Sequence, residues 1–376
     1  MLGYINYAGI GSKKSTGGIE TYYKNKLKKS SDYIFFTKYN TNEFDKKNFF
    51  TALYLFFLRR NIKNIFIRSH FDWYFQLYFA LRKIKKLFEY VEVADSFGYG
   101  IVLYLLRIPY IVKMHTPHSV VCELNGWKKD IYYKIIKFIE KKAVQYATKI
   151  ESPSKAMIDY LLLVGWKINI SKTFVLNNAF YSNNKSEIIQ KEKQVLFVGN
   201  FEPRKNLIFL LKSFLSNKMF EDYKLVICGS DSFIYDKSLN KNNSYWNYCK
   251  KSCPEILNNP RVLYKGFIDN NEIEKYYKLS EFFVICSTEF ENFPTVVLEA
   301  ISNKAIVIGS DIGGIPEIIT DSKSGFLFKD NDMSDFIASF NKALNCNREE
   351  IQSAAINKLQ EINKQIEVPY GNFKKN

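Results

Sequence analysis

Short strand-type runs alternate with segments of helical spacing along most of this sequence, and that alternation sets its class of fold. LGYINY (2–7), NIFIRS (64–69), YVEVAD (90–95), YIVKMH (110–115), KIESPS (149–154) and TFVLNN (173–178) predict strands. Segments 18–29, 71–88 and 127–148 predict helices between them. Consecutive strands separated by helices cannot form hairpins, so the expectation is a parallel sheet with covering helices. The polar stretch AFYSNNKSEIIQKEK (179–193) interrupts the pattern and reads as a linker. Alternation then restarts with strands at 194–200, 223–229, 261–267, 281–287 and 305–310, and with helices at 206–217, 271–279, 295–303 and 334–344. The stretch 232–255 reads as a long polar loop, and everything after 345 as a polar tail. The expected architecture is α/β: two Rossmann-like, doubly wound domains, 1–178 and 194–345, facing across a cleft, with ligands at the carboxyl ends of the strands.

Composition narrows the functional classes. The 376 residues suffice for two ordinary domains, and 47% hydrophobic against 24% charged residues describes a globular chain. Six scattered cysteines, the nearest pair being Cys249 and Cys253, form neither a zinc pattern nor a disulfide framework, as suits a reducing compartment. MLGYINYAGIG lacks a charged n-region and a long apolar h-region, which predicts no signal peptide. No apolar run approaches the ~18 residues of a membrane helix.

The net charge of +16 is one-sided. Residues 1–150 hold 26 Lys and Arg against 11 Asp and Glu, whereas 151–376 hold 28 against 27. This asymmetry points to a polyanionic partner for the first part of the chain: a nucleic acid, an anionic bilayer, or an acceptor carrying phosphate. In 127–149, Ile131, Ile135, Ile139 and Val144 recur at near-helical spacing among Lys128, Lys134, Lys137, Lys141 and Lys142. Such a basic amphipathic helix can lie on an anionic leaflet, or can simply cover a sheet. The basic half carries no nucleic-acid-binding motif, so no nucleic acid partner is expected.

The chemistry concentrates in CSTEFENFPTVVLEAISNKAIVIGSDIGGIPEIITDSKSGFLF (286–328). A strand leads to a loop bearing Glu291, and a helix starts near Pro294 with Glu299 inside it. The helix mouth offers free N–H groups to an anion, and the two carboxylates flank it. Acids beside a phosphate site do not attract the phosphate; they suit hydroxyl groups, such as those of a ribose.

The spacing Glu291–Glu299, with GGIPE (313–317) and SGFLF (324–328), resembles the signature of glycosyltransferase family 4, retaining transferases of the two-domain GT-B fold that use nucleotide-diphospho-sugars. The resemblance continues through VLFVGNFEPRKNL (195–207), SPSKAM (152–157), MHTPHS (114–119) and STGGIE (15–20). It implies that Glu299 binds the donor ribose and that Glu291 contacts the transferred sugar near its reacting carbon. Asn292, Phe293 and Pro294 would lie against sugar and phosphate, and Phe267 and Ile268 would meet the base. Lys205 would neutralise the diphosphate, and His115 would stand beside the transferred sugar. Gly17 and Gly18 match a loop near phosphates and acceptor. Asn200 occupies the place of the family's arginine, for which Arg204 is the available substitute. The domain at 1–178 would bind the acceptor and the one at 194–345 the donor. The implied protein is a retaining hexosyltransferase that needs neither metal nor other cofactor. It would act on a surface-glycan or lipid-linked acceptor at the cytoplasmic face of a membrane. An epimerase or hydrolase of the same fold, or an inactive homologue acting as a membrane-associated binding protein, are the alternatives.

Other residues read more plainly. The DND at 330–332 does not follow a strand end as a metal-binding acidic motif would, and Asp332 with Asp335 reads as a helix start. Gly313 and Gly314 fit either a turn or the site, Glu317 fits a cap, and His70 and His118 read as structural or exposed.

Overall fold

The computed structural model describes residues 2–5, 33–36, 65–178, 180, 190–236, 241–269 and 272–364. Gly17, Gly18, the helix expected at 18–29 and most of the linker lie outside these residues. The chain divides into two compact units, one of residues 1–122 and 128–175, the other of 123–127 and 176–376.

The first unit is built on six strands: β1 (Leu2–Ile5), β2 (Tyr33–Phe36), β3 (Tyr90–Ala94), β4 (Tyr110–Lys113), β5 (Lys149–Ser152) and β6 (Thr173–Val175). They run parallel in the order β2–β1–β3–β4–β5–β6. The described helices are α1 (Ile65–Ile84), α2 (Gly100–Leu106), α3 (His118–Leu124), α4 (Ile131–Gln145) and α5 (Lys155–Leu163). Where a strand was expected at 64–69, α1 has already begun. The apolar run there is too short to distinguish the two states by itself. The buried positions that follow, His70, Trp73, Leu77, Ala80 and Leu81, keep helical spacing, and no turn residue separates them from the run.

The second unit has its own parallel sheet, β7 (Glu192–Val198), β8 (Lys224–Cys228), β11 (Val262–Gly266), β12 (Ser280–Ile285), β13 (Ile306–Ser310) and β14 (Phe326–Phe328), in the order β11–β8–β7–β12–β13–β14. Its helices are α6 (Leu207–Ser216), α7 (Tyr245–Ser252), α8 (Ile273–Leu279), α9 (Thr295–Ser302), α10 (Ile315–Ile318), α11 (Met333–Leu344) and α12 (Arg348–Lys364). Both sheet faces are dry. Val195, Phe197, Leu225, Ile227, Phe282 and Val284 pack on one side against α6 and α11. Leu196, Val226, Phe283, Ile285 and Val307 pack on the other against α9 and α12. Burial on both faces explains why these strands read as unbroken apolar runs.

Two expectations for this unit fail. The stretch 232–255 is no loop: β9 (Phe233–Asp236) and β10 (Lys241–Ser244) form an antiparallel hairpin that leads directly into α7. The tail expected from 346 instead forms α12. Its Ile351, Ala355, Leu359 and Ile362 are buried at helical spacing, few enough that the stretch looks polar in sequence. Asn363 then exchanges two hydrogen bonds with the backbone of Phe180, of 3.0 and 2.8 Å, tying the helix to the start of the unit. Lys191, inside the expected linker, donates to the carbonyls of Tyr277, Lys278, Ser280 and Asn303, so one ammonium closes the C-terminal ends of α8 and α9.

Candidate functional site

In the second sheet the strand order reverses between β7 and β12, and the crevice beyond their carboxyl ends is where open α/β sheets bind ligands. The loop after β7 carries Asn200, Arg204 and Lys205; the loop after β12 carries Ser287 and Glu291. The two loops are stitched by Thr288 N–H donating to the Arg204 carbonyl at 2.8 Å.

Glu291 is the centre of this cluster. Its Oε2 accepts from Lys205 Nζ, from Arg204 Nη1 at 3.1 Å and from Ser287 Oγ at 2.9 Å. Arg204 Nε also donates to Glu202 at 2.9 Å. Asn125, a member of this unit, accepts from Arg204 N–H at 3.1 Å and donates to Glu202 at 3.3 Å. Burial pushes the Glu291 carboxyl up, but the charges of Lys205 and Arg204 and the hydrogen bonds together outweigh it and hold the group at about 2. Burial lowers the Lys205 pKa, with Glu291 opposing it. Burial also works against the Arg204 guanidinium, yet Glu291 and Glu202 leave its pKa raised. The result is two cations beside one ionised carboxylate, prepositioned in a nearly dry crevice.

Glycine conformations hold these loops. Gly313 has φ +54, and a Cβ there would lie 1.9 Å from the Glu291 carbonyl oxygen. The next N–H, of Gly314, donates to that same oxygen at 2.8 Å. The GGIP turn is thus the platform on which Glu291 rests, which answers the question its sequence left open. Gly229, at φ +149, comes equally close to the Gly199 carbonyl and lets the loops after β7 and β8 touch.

The remaining predicted residues fall in three places. Asn292, Phe293 and Pro294 are buried, and Pro294 is the N-cap of α9, one residue outside the helix it was expected to start. No side chain caps that helix mouth. Glu299 lies within α9 and accepts from Tyr277 at 2.8 Å, apart from the Glu291 cluster; burial raises its carboxyl to about 7 despite that bond. Phe267 and Ile268 follow β11, the first exposed and the second packed on the core. Asn200 is exposed, and its carbonyl accepts the Glu202 N–H; Arg204 supplies the guanidinium that reaches Glu291.

His115 belongs to the first unit, at the end of β4. Its N–H and that of Thr116 both donate to Asp95 Oδ2 at 3.0 Å, and Thr116 is held at φ 119, an unusual value for a β-branched residue. Burial pushes the Asp95 carboxyl up to about 7, against these hydrogen bonds. His70 is buried and stacks on Phe97 at 3.7 Å, and His118 stacks on the same ring at 4.4 Å, so both are structural. Asp332 caps α11 by accepting from Asp335 N–H, as expected, but the DND does follow a strand end, that of β14, contrary to expectation, because the short FLF run pairs with β13. Among the described residues, no group of three His, Cys, Asp or Glu is arranged for a metal.

Sequence reading missed Ser287, Glu202, Asn125 and Tyr277. Only Ser287, a polar residue directly beyond a buried strand, gave a usable signal. The others depend on which chain segments the fold brings together.

The profile of the family described as Glycosyl transferases group 1 matches residues 181–361. That match covers a little under half of the chain. The described residues have the GT-B fold. The chain superposes on sucrose-phosphate synthase from Thermosynechococcus elongatus with a TM-score of 0.69 at 16% identity, covering 97% of this chain and 94% of that one. A structure of HepE from Anabaena in complex with UDP and glucose gives 0.67 at 14% identity, covering 97% of each chain. An uncharacterised 41.2 kDa protein in the cps region of Klebsiella pneumoniae is 24% identical over 258 residues, 64% of this chain and 65% of that protein. The chain spans less than two thirds of the length of the curated relatives it matches.

Proposed function

We propose that this protein is a retaining, metal-independent glycosyltransferase. It moves a hexose-type sugar from a nucleotide-diphospho-sugar to a hydroxyl of a surface glycan or lipid-linked acceptor. The observation that carries the reading is the Lys205–Glu291–Arg204 cluster at the strand-order reversal of the second sheet. Breaking the bond between C1 of the sugar and the diphosphate leaves negative charge on phosphate and positive charge on the ring. Lys205, Arg204 and the uncapped mouth of α9 suit the first charge, and ionised Glu291 suits the second. The acceptor oxygen bonds to C1 on the face the diphosphate leaves, and its proton passes to the departing phosphate, so configuration is retained. Glu299, inside the same unit and bonded to the Tyr277 phenol, would accept from ribose hydroxyls. The backbone at Asn292, Phe293 and Pro294 would line the sugar–phosphate side, and Phe267 and Ile268 the base. His115, Gly17, Gly18 and Asn200 have their parts by the resemblance alone.

The acceptor side of the proposal includes a membrane surface. On α4 the exposed apolar ridge is Ile131, Ile135 and Phe138, with Phe138 63% exposed, and Lys134, Lys137, Lys141 and Lys142 lie beside it. Val144, expected on that ridge, is instead buried, and Ile139 is half-buried. An apolar ridge among lysines suits the headgroup region of an anionic leaflet. No described helix is long and apolar enough to cross a membrane.

Thermal unfolding with a panel of nucleoside diphosphates tests the donor site. At least one should stabilise the wild type and fail to stabilise Lys205→Ala; no stabilisation by any of them would favour an inactive scaffold. A donor screen against extracted lipid-linked oligosaccharide, read by mass spectrometry, then separates transfer from donor hydrolysis or epimerisation. For the membrane, cosedimentation should require anionic vesicles and weaken with salt, and equal binding to neutral vesicles would reject it.

A further inference from the structure

The described hydrogen bonds of the cluster around Glu291 involve no residue of the hairpin–helix insertion between β8 and β11, and a parallel crossover needs only one helix. Here β9 and β10 precede that helix and, with α7, border an open cavity of about 740 Å³. The insertion is firmly built. Asp231 accepts from Ser244 Oγ at 2.6 Å and from Trp246 N–H at 2.9 Å, and Ser244 Oγ in turn accepts from Asn247 N–H, capping α7. Tyr245, Cys249 and Cys253 point inward at four-residue spacing and lock the helix on the core. The opposite face of α7 is therefore presented to the cavity.

What lines that cavity has a distinct chemistry. Tyr235 from β9 and Tyr248 from α7 contribute aromatic rings, and Tyr248 is 41% exposed. Asn243 and Asn247 contribute amides, each able to donate and accept at once, as adjacent hydroxyls require. Lys241, Lys250 and Lys251 contribute three positive charges, and among the described lining residues none is acidic. Aromatic faces for the C–H side of a sugar ring, amides for its hydroxyls and lysines for a fixed negative charge describe one ligand class. A nucleobase pocket would not need three cations, and an apolar ligand would not need the amides.

We propose that this cavity is a second saccharide site, which holds an anionic glycan bearing carboxylate or phosphate groups. It would retain a glycan chain on the protein while the donor site works elsewhere in the same unit. The inference does not depend on the donor-site reading, since the insertion shares none of the cluster around Glu291.

The test is direct binding to the full-length protein, by calorimetry or fluorescence titration. The probes are an oligogalacturonate, a phosphorylated mannan oligosaccharide and neutral maltoheptaose. The wild type should bind at least one charged oligosaccharide ten-fold or more tightly than maltoheptaose, and the two charged probes distinguish carboxylate from phosphate. Tyr248→Ala should lose ten-fold or more and Tyr248→Phe should retain the ring contact and most of the affinity. Lys250→Ser with Lys251→Ser should lower affinity strongly, whereas Lys218→Ser with Lys224→Ser, an equal change in net charge at exposed positions of the same unit, should not. If both lysine pairs weaken binding equally, the attraction is only that of a basic protein and the proposal falls. It falls equally if Tyr248→Ala binds as the wild type does, or if neutral and charged probes bind alike. Stabilisation by nucleoside diphosphate should be unchanged in the Tyr248 variants, which separates failure of this site from failure of the donor site and reports that the unit is folded.

Discussion

Replacing Glu291 with Gln probes the electrostatic core of the site. The carboxyl titrates at about 2 in the fold against 4.5 in its free form. That depression is equivalent to about 3 kcal/mol of stability at neutral pH. Because the folded pKa lies below the unfolded one, the contribution is complete above pH 4.5 and is lost as pH falls through 2. Between pH 7 and pH 3 the wild type should therefore lose about 2 kcal/mol through this group alone. Glu291→Gln removes that loss. At pH 7 the variant should be less stable by about 3 kcal/mol, because Lys205 and Arg204 then stand in a dry crevice beside a neutral amide. Urea unfolding of the full chain at pH 7 and pH 3, extrapolated linearly, gives both differences. A nucleoside diphosphate should raise the melting temperature more in the variant than in the wild type, since both cations are released to it, while turnover falls about a hundred-fold or more. Parallel loss of stability in the two proteins between pH 7 and pH 3 would refute the assignment of the ion pairs.

Gly313→Ala places a Cβ 1.9 Å from the Glu291 carbonyl oxygen at φ +54, and should cost about 2 kcal/mol or more and most of the activity. Gly314→Ala, at φ −89, meets no such conformational penalty, and equal effects on melting temperature and turnover would argue against the platform. Glu299 titrates at about 7 because burial raises it, so its ionisation opposes folding as pH rises from 4.5 through 7. Ribose hydroxyls would favour its charged form; nucleotide binding at pH 7 should then release roughly half a proton, measured by calorimetry in buffers of different ionisation enthalpy. Lys191→Met removes the ammonium that serves four carbonyls and should destabilise by about 2 kcal/mol or more, visible as a lower urea midpoint.

Local pattern carried much of this protein. Strand–helix alternation, the Glu291–Glu299 spacing, the helix start at Asp332 and the glycines of GGIP could all be read in sequence, because each is a relation between near neighbours. The readings that failed were those in which burial overrides local character. NIFIRS runs into α1 because the buried positions that follow it keep helical spacing. Four apolar positions suffice to dock α12, although its stretch looks polar. The polar run at 232–255 is ordered by Asp231 and by an inward row of Tyr and Cys.

Sequence alone determined that the chain makes two parallel α/β sheets, and it marked Glu291, Glu299 and Lys205 as candidates for the chemistry. Tertiary structure alone decided the order of the strands, and hence that the loops after β7 and β12 meet. It also decided that the Arg204 guanidinium reaches Glu291, and that Glu299 is bonded to Tyr277 rather than to the cluster. The physical reason is range: propensity and periodicity act over a few residues. Charge pairing in a dry crevice depends on segments nearly ninety positions apart along the chain being brought within hydrogen-bonding distance.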